Sequence, residues 1–196
     1  MKLQDKLILT DCDGVLLDWV YSFTNYMKER GYTKKIHGVY DLAIAYDMPK
    51  TDIKVLVRQF NESAHIGFLT PFRDAIKYVR KLHEEHGFVF HCITSLSTDE
   101  HAGELRRKNL NAVFGANIFE KVICLDCGAD KDDALLPYKD TDCYWIEDKP
   151  ENAVCGSDLG LFAVLIEDDH NKGFVHPDIP VVKNWKEIYE MITYFK

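Results

Sequence analysis

Five short apolar runs alternate with amphipathic helical segments along this chain, and that alternation leaves few folds open to it. The runs are Leu7-Ile8-Leu9, which stops at Asp11, then Phe88 to Ile93, Lys121 to Leu125, Thr141 to Ile146 and Leu161 to Ile166. Each suits a short strand that ends where polar residues begin. Before the second run, Thr70 as cap, Pro71 at the first helical position and Gly87 as terminator delimit a helix. Its Phe72, Ile76, Val79 and Leu82 share one face. Ser97 with Glu100 makes a capping box for a helix through Lys108. Helical segments follow from Asp132 to Tyr138 and near Glu151 to Ser157, and Asn184 with Glu187 caps a last helix ending near Phe195. Such alternation predicts an α/β fold, a Rossmann-like parallel sheet with helices on both faces.

One stretch breaks the rhythm. From Asp18 to Leu69 the sequence holds helical patterns, Trp19 to Arg30 and Thr51 to Ser63, and no strand. It reads as a small helical cap, residues 18–69, inserted after the first strand of a core made from residues 1–17 and 70–196. A chain of 196 residues, 46% apolar, is long enough to bury one such domain with an insertion.

The segment Met1 to Asp5 lacks the basic region of a secretion signal, and no apolar stretch approaches the roughly 20 residues of a membrane-spanning helix. The expected setting is cytoplasmic, with no membrane partner. There, Cys12, Cys92, Cys124, Cys127, Cys143 and Cys155 are expected as thiols, most of them buried. Cys124 and Cys127 followed by Gly128 resemble half of a zinc ribbon, without a second pair at matching spacing. A formal charge of −8 argues against a nucleic-acid polymer, whose binding draws on many Lys and Arg. A small anionic ester needs only one cationic pocket.

In open α/β sheets ligands bind at the carboxyl ends of the strands, so the residues just after each run are the candidates for chemistry. Asp11 and Asp13 stand two apart on a turn that Gly14 permits, where both carboxylates can approach one ligand. The glycine lies at the fourth place from Asp11, which excludes an EF-hand loop. Thr94, with Ser95 beside it, offers a hydroxyl for a phosphoryl oxygen because Ser97 is taken as the helix cap. Lys131 supplies the cation that carboxylates and a phosphate require, with Lys139 as the alternative. Glu147 and Asp148 crowd like charge at the end of a buried strand; a hard cation resolves that crowding, and pairing of Lys149 with Glu147 is the milder alternative.

In chain order, Asp11-x-Asp13-Gly14-Val15, Thr94, Lys131 and Glu147-Asp148 resemble the motifs of the haloacid dehalogenase superfamily of phosphohydrolases. The segments Asp11 to Trp19, Ile93-Thr94-Ser95 and Ile146-Glu147-Asp148-Lys149, with the small cap, further resemble its 5′(3′)-deoxyribonucleotidase branch. The likeness spans nearly the whole chain and is weak from Tyr32 to Leu69. It implies a Mg²⁺-dependent phosphatase acting on a small phosphate monoester, a nucleoside monophosphate, through an aspartyl-phosphate. Asp11 would be the nucleophile and Asp13 the acid/base, with Thr94 and Lys131 gripping the phosphoryl group. Trp19 and Ser95 would bind substrate, and Asp11, Asp13, Asp148 and Glu147 would form the metal set, Asp13 through its main-chain carbonyl. That branch usually carries two aspartates where this chain has Glu147 and Asp148, which leaves the longer side chain's role open.

Other readings stand beside this one: a sugar or metabolite phosphatase, a 3′-phosphatase for nucleic-acid ends, or an inactive binding module that keeps the fold. A homodimer is compatible with each. His83 and His86 at a helix end are expected as solvated cations, with metal ligation the alternative, and Glu167-Asp168-Asp169-His170 as a polar loop, with an approach to the metal the alternative.

Overall fold

The computed structural model describes residues 6–194. Six parallel strands form one sheet in the order β3-β2-β1-β4-β5-β6: β1 Leu7–Thr10, β2 Val89–Ser95, β3 Phe119–Leu125, β4 Tyr144–Glu147, β5 Phe162–Ile166 and β6 Val181–Val182. Side chains alternate across a strand, and here the alternation builds two apolar layers. Ile8, Phe90, Cys92, Ile146, Val164 and Ile166 join the layer that holds helices α4 (Ala75–His86), α5 (Glu100–Phe114) and α8 (Trp185–Tyr194). Leu9, Ile93, Trp145, Ala163 and Leu165 face the other way, onto α6 (Asp132–Leu135) and α7 (Pro150–Asp158). The expected parallel sheet with helices on both faces is therefore present, with one short edge strand, β6, beyond those expected.

Between β1 and α4 lie only helices among the described residues: α1 Trp19–Glu29, α2 Leu42–Tyr46, α3 Lys50–Asn61 and a 3-10 turn, Ala64–Phe68. The neck of this inserted region is narrow. Leu17 bridges Pro71, Asp18 N–H donates to Thr70 O (2.8 Å) and Phe72 N–H to Leu16 O (2.8 Å). Inside, Trp19, Phe23, Tyr26 and Phe60 pack ring on ring, and this cluster is continuous with the apolar layer on one face of the sheet. No described helix is long and apolar enough to cross a membrane.

Local corrections follow from competing uses of the same residues. Thr70 and Pro71 serve the neck rather than a helix start, so α4 begins at Ala75 after Asp74. The Asp74 carboxylate in turn accepts from Trp185 and Lys186 N–H and caps α8 together with Asn184, which accepts from Glu187 N–H. Ser97 does not cap α5; Asp99 does, accepting from Ala102 N–H at 2.8 Å, while Ser97 Oγ donates to Glu62 of the inserted region. His83 and His86 are not free in solvent, since their ring nitrogens meet Phe88 O and the Tyr189 hydroxyl. The expected end of α8 at Phe195 and the segment Met1 to Asp5 lie outside the described residues.

Helix α7 presses on β4 through a glycine. A Cβ on Gly156 would collide with Cδ1 of the fully buried Trp145, whose ring cannot retreat into a filled layer. Gly156→Ala is expected to cost about 1–3 kcal/mol despite the higher helix propensity of alanine, as read from urea unfolding midpoints.

Candidate active site

Strand order reverses beside β1, which has β2 on one side and β4 on the other, and ligands of open α/β sheets settle in the crevice that such a reversal opens. Asp11 follows β1, Glu147 ends β4 and Asp148 follows it, so both acidic motifs arrive there. One carboxylate oxygen from each of Asp11, Glu147 and Asp148 lies within 4.8 Å of the others, all three residues being buried. The chain turns at once beyond Asp11. Leu16 and Leu17 N–H donate to Cys12 O, and Gly14 takes φ +79°, the left-handed region. A Cβ at Gly14 would stand 2.5 Å from Asp148 Oδ2, so the acidic cluster also requires a residue without a side chain there.

Lys131, 2% exposed, places Nζ 2.6 Å from Asp11 Oδ1 and 2.6 Å from Glu147 Oε1. Lys139 is exposed, and of the two candidate lysines it is Lys131 that lies against the acids. Its delivery depends on the loop after β3, where Ser95 Oγ donates to Ala129 O at 2.7 Å. The Ser95 hydroxyl proton is thus committed to holding this loop. Thr94, 1% exposed at the end of β2, has a hydroxyl with no hydrogen-bond partner, an orphan of the kind a ligand oxygen satisfies.

Glu147 differs from its acidic neighbours in being saturated. It accepts from Lys131 Nζ, Asn152 Nδ2 and the N–H groups of Asp148 and Lys149, all at 2.6–2.8 Å. Lys149 therefore meets Glu147 through its backbone N–H, not through the side-chain pair that was the milder alternative. Lys131 and these hydrogen bonds hold Glu147 below its ordinary pKa against the opposing effect of burial. Burial pushes Asp11 up to about 7, its approach to Glu147 and Asp13 adding to the rise that Lys131 opposes. Asp148 is driven well above its ordinary value by burial, then by Glu147 and Asp11. Three carboxylates share one lysine, so the fully ionised cluster carries two negative charges in excess. An all-oxygen donor set with that excess fits a hard divalent cation such as Mg²⁺. Cysteine joins no group of three metal-capable side chains among the described residues.

Asp13 stands apart from this cluster. Its carboxylate is gripped at both oxygens by Arg106, at 2.6 and 3.0 Å, and Arg106 Nη1 also meets Cys12 Sγ at 2.9 Å. Arg106 is fully buried on α5 and was not foreseen. It lies four residues after Ala102 and four before Leu110, on the helix stripe that faces the core, and a cation on such a stripe is a signal legible in sequence. The loop after β5 reaches Asp148, the alternative to a plain polar loop. His170 Nε2 lies 3.1 Å from Asp148 O, and the buried Asn171 donates to the same oxygen at 2.7 Å. From the inserted region Tyr40 faces the acids, its phenol raised by burial and by Asp148, Glu147 and Asp11. Trp19 is half-buried, stacked on Phe23 at 4.6 Å, with its indole N–H on Asn61 Oδ1 at 2.9 Å.

No protein-family model matches the sequence. Over 124 residues the chain is 30% identical to an uncharacterized 32.4 kDa protein of Enterobacteria phage T4 from the Gp30-rIII intergenic region, covering 60% of this chain. The chain spans 44% of that protein's length. Among solved structures it is similar to a haloacid dehalogenase-like hydrolase from Streptococcus pneumoniae (TM-score 0.66, 16% identity, 100% of each chain). It is also similar to CbbY from Rhodobacter sphaeroides in complex with phosphate (0.61, 16%, 93% of this chain and 96% of the other). A third is the L-2-haloacid dehalogenase from Xanthobacter autotrophicus (0.61, 12%, 95% and 98%). The chain has the haloacid dehalogenase-like hydrolase fold.

Between pH 3.8 and about 7 the folded protein keeps on Asp11 a proton that the unfolded chain has lost, so metal-free stability falls as pH rises across that window. A divalent ion must displace this proton, and its binding tightens as pH rises over the same range. Mg²⁺ at a hundredfold excess over Kd is expected to add about 2.7 kcal/mol of stability. In thermal melts the gain at a fixed Mg²⁺ concentration should be larger at pH 8 than at pH 6; an equal gain at both would contradict a site built on these acids.

Proposed function

We propose that the chain is a Mg²⁺-dependent phosphatase for a small phosphate monoester, with a nucleoside monophosphate as the favoured substrate. The observation that carries this reading is the meeting, around one crevice, of an acidic cluster two charges in excess, a buried lysine and an unpartnered threonine hydroxyl. Displacement of a halide from carbon would give such an excess of carboxylate no use. Phosphoryl transfer uses every part of it.

Asp11 attacks phosphorus in line and becomes the aspartyl-phosphate. Lys131 and the free Thr94 hydroxyl contact the phosphoryl oxygens, where charge spreads in the transition state. Asp13, freed from the Arg106 fork and protonated from solvent, gives that proton to the leaving alkoxide, and as the resulting carboxylate takes one from the water that releases phosphate. Asp11, Asp148 and the main-chain carbonyl of Asp13 would hold the metal, with Glu147 adding charge at its border. Bound there, Mg²⁺ supplies the charge that lets an anionic nucleophile meet an anionic ester. Trp19 supports the nucleotide reading as an aromatic face close to the neck. A sugar phosphate is the second reading, favoured by the CbbY structures that hold phosphate and xylulose-(1,5)-bisphosphate.

Asp11→Asn should lower turnover by at least about a thousandfold, since it removes the nucleophile at constant volume. The same change removes a carboxylate that burial disfavours, so the metal-free variant at pH 8 should melt no lower than the parent. Activity that survives the substitution would end the covalent scheme. A panel of nucleoside monophosphates, sugar phosphates, a 3′-phosphorylated oligonucleotide and an L-2-haloacid, each with Mg²⁺, separates the remaining readings; turnover of none points to a binding module.

A further inference from the structure

The acids, Lys131 and Thr94 all belong to the core and touch only the phosphoryl end of an ester, so nothing among them distinguishes one leaving group from another. The inserted region must supply that choice. Tyr40 lies in the stretch between α1 and α2 and is 59% exposed, yet its surroundings are those of the crevice. Its ring lies 5.2 Å from the His170 ring and 5.9 Å from Lys149 Nζ. Both neighbours adjoin Asp148, His170 through its 3.1 Å contact with Asp148 O and Lys149 as the next residue. No hydrogen bond engages the Tyr40 hydroxyl among the described residues, although Asp148, Glu147 and Asp11 act on it. A phenol carries its proton at neutral pH, which makes it a donor.

Other exposed aromatics of the region lack this placement. Tyr21 and Tyr32 are similarly exposed, and neither has a contact with the acidic cluster or its border among the described residues. A large apolar ring left open to solvent at the mouth of a charged crevice, with a free donor at its tip, suits a planar, oxygen-bearing leaving group. Lys149 and His170 line the core side of the same opening.

We propose that Tyr40 is the residue by which the inserted region selects the leaving group, its ring packing against a nucleoside and its hydroxyl donating to that group's oxygen. The inference rests on the phosphatase reading and adds to it where specificity resides. Tyr40 touches neither the nucleophile nor Lys131, so its substitution should act through leaving-group recognition.

The test compares kcat/KM for a nucleoside 5′-monophosphate with that for acetyl phosphate, whose small leaving group offers no ring to pack on, in the full chain with Mg²⁺. Tyr40→Ala should lower the nucleotide-to-acetyl-phosphate ratio by about tenfold or more, chiefly through KM for the nucleotide. Tyr40→Phe keeps the ring and should lower the ratio only about fivefold or less. The nucleoside alone, titrated by calorimetry, should bind Tyr40→Ala about tenfold more weakly, a readout independent of turnover. Equal losses on both substrates, or none on either, would overturn the inference while leaving the phosphatase reading in place. A parent protein that hydrolyses neither ester overturns both.

Discussion

One buried ammonium organises the crevice. Lys131 Nζ stands 2.6 Å from Asp11 and 2.6 Å from Glu147, and thereby ties the end of β1 to the end of β4 at the place where the sheet reverses its order. The two carboxylates it touches are not equivalent. Glu147 receives three further N–H donors and is a fixed anion whose charge is fully solvated by the protein. Asp11 has Lys131 as its charged partner and remains a weak, desolvated acid near pKa 7. Two similar groups thus acquire opposite characters from the number of donors around them: one anchors the lysine, the other is left reactive. The Arg106 fork on Asp13 repeats this logic with a second buried cation, which holds that carboxylate at both oxygens.

The inserted region is fastened to the very loops that carry the rest of the site. Asn61 accepts the Trp19 indole N–H and donates to Leu96 O, two residues beyond Thr94. Glu62 receives the Ser97 hydroxyl and pairs with Arg58, whose other nitrogen meets Asp126 at the start of the loop that leads to Lys131. These last pairs are exposed, and each contributes little to stability alone. Their placement matters more than their strength: the position of α3 is read by the loops after β2 and β3 together, so ordering of the inserted region by a ligand bears directly on Thr94 and Lys131.

The parts of the molecule legible in sequence were those in which one residue has one use. Apolar runs ending in acids located β1 and β4, and the pairing of Asp11, Asp148 and Lys131 followed from their places after strands. Residues with two uses misled. Pro71 suits a helix start and also a bridge to Leu17, and the neck claimed it; Ser97 suits a cap and also a partner for Glu62, and the contact with the inserted region claimed it. Arg106 was overlooked because a single arginine among charged neighbours reads as surface until its phase with Ala102 and Leu110 is counted. Tyr40 had no local signal and His170 only its place in an acidic run after β5, since what joins them to the crevice is the folding of two loops separated by more than a hundred residues of chain.

The same imbalance that fits the crevice to a metal makes it a poor stabiliser of the fold. Asp11 and Asp148 are buried among like charges with a single shared cation, and both are raised above their ordinary values, so in the absence of a counter-ion folding works against them at neutral pH. A sequence selected for stability alone would place apolar residues or amides at these positions, because a buried cluster of uncompensated acids gains nothing from its own packing. Gly14 adds a second cost, the extra backbone entropy a glycine loses on folding, accepted so that Asp148 can approach. Two independent costs converging on one end of the sheet, beside a threonine hydroxyl that nothing in the protein satisfies, are compensated only by what binds there. That is the physical ground for assigning the crevice to chemistry rather than to architecture.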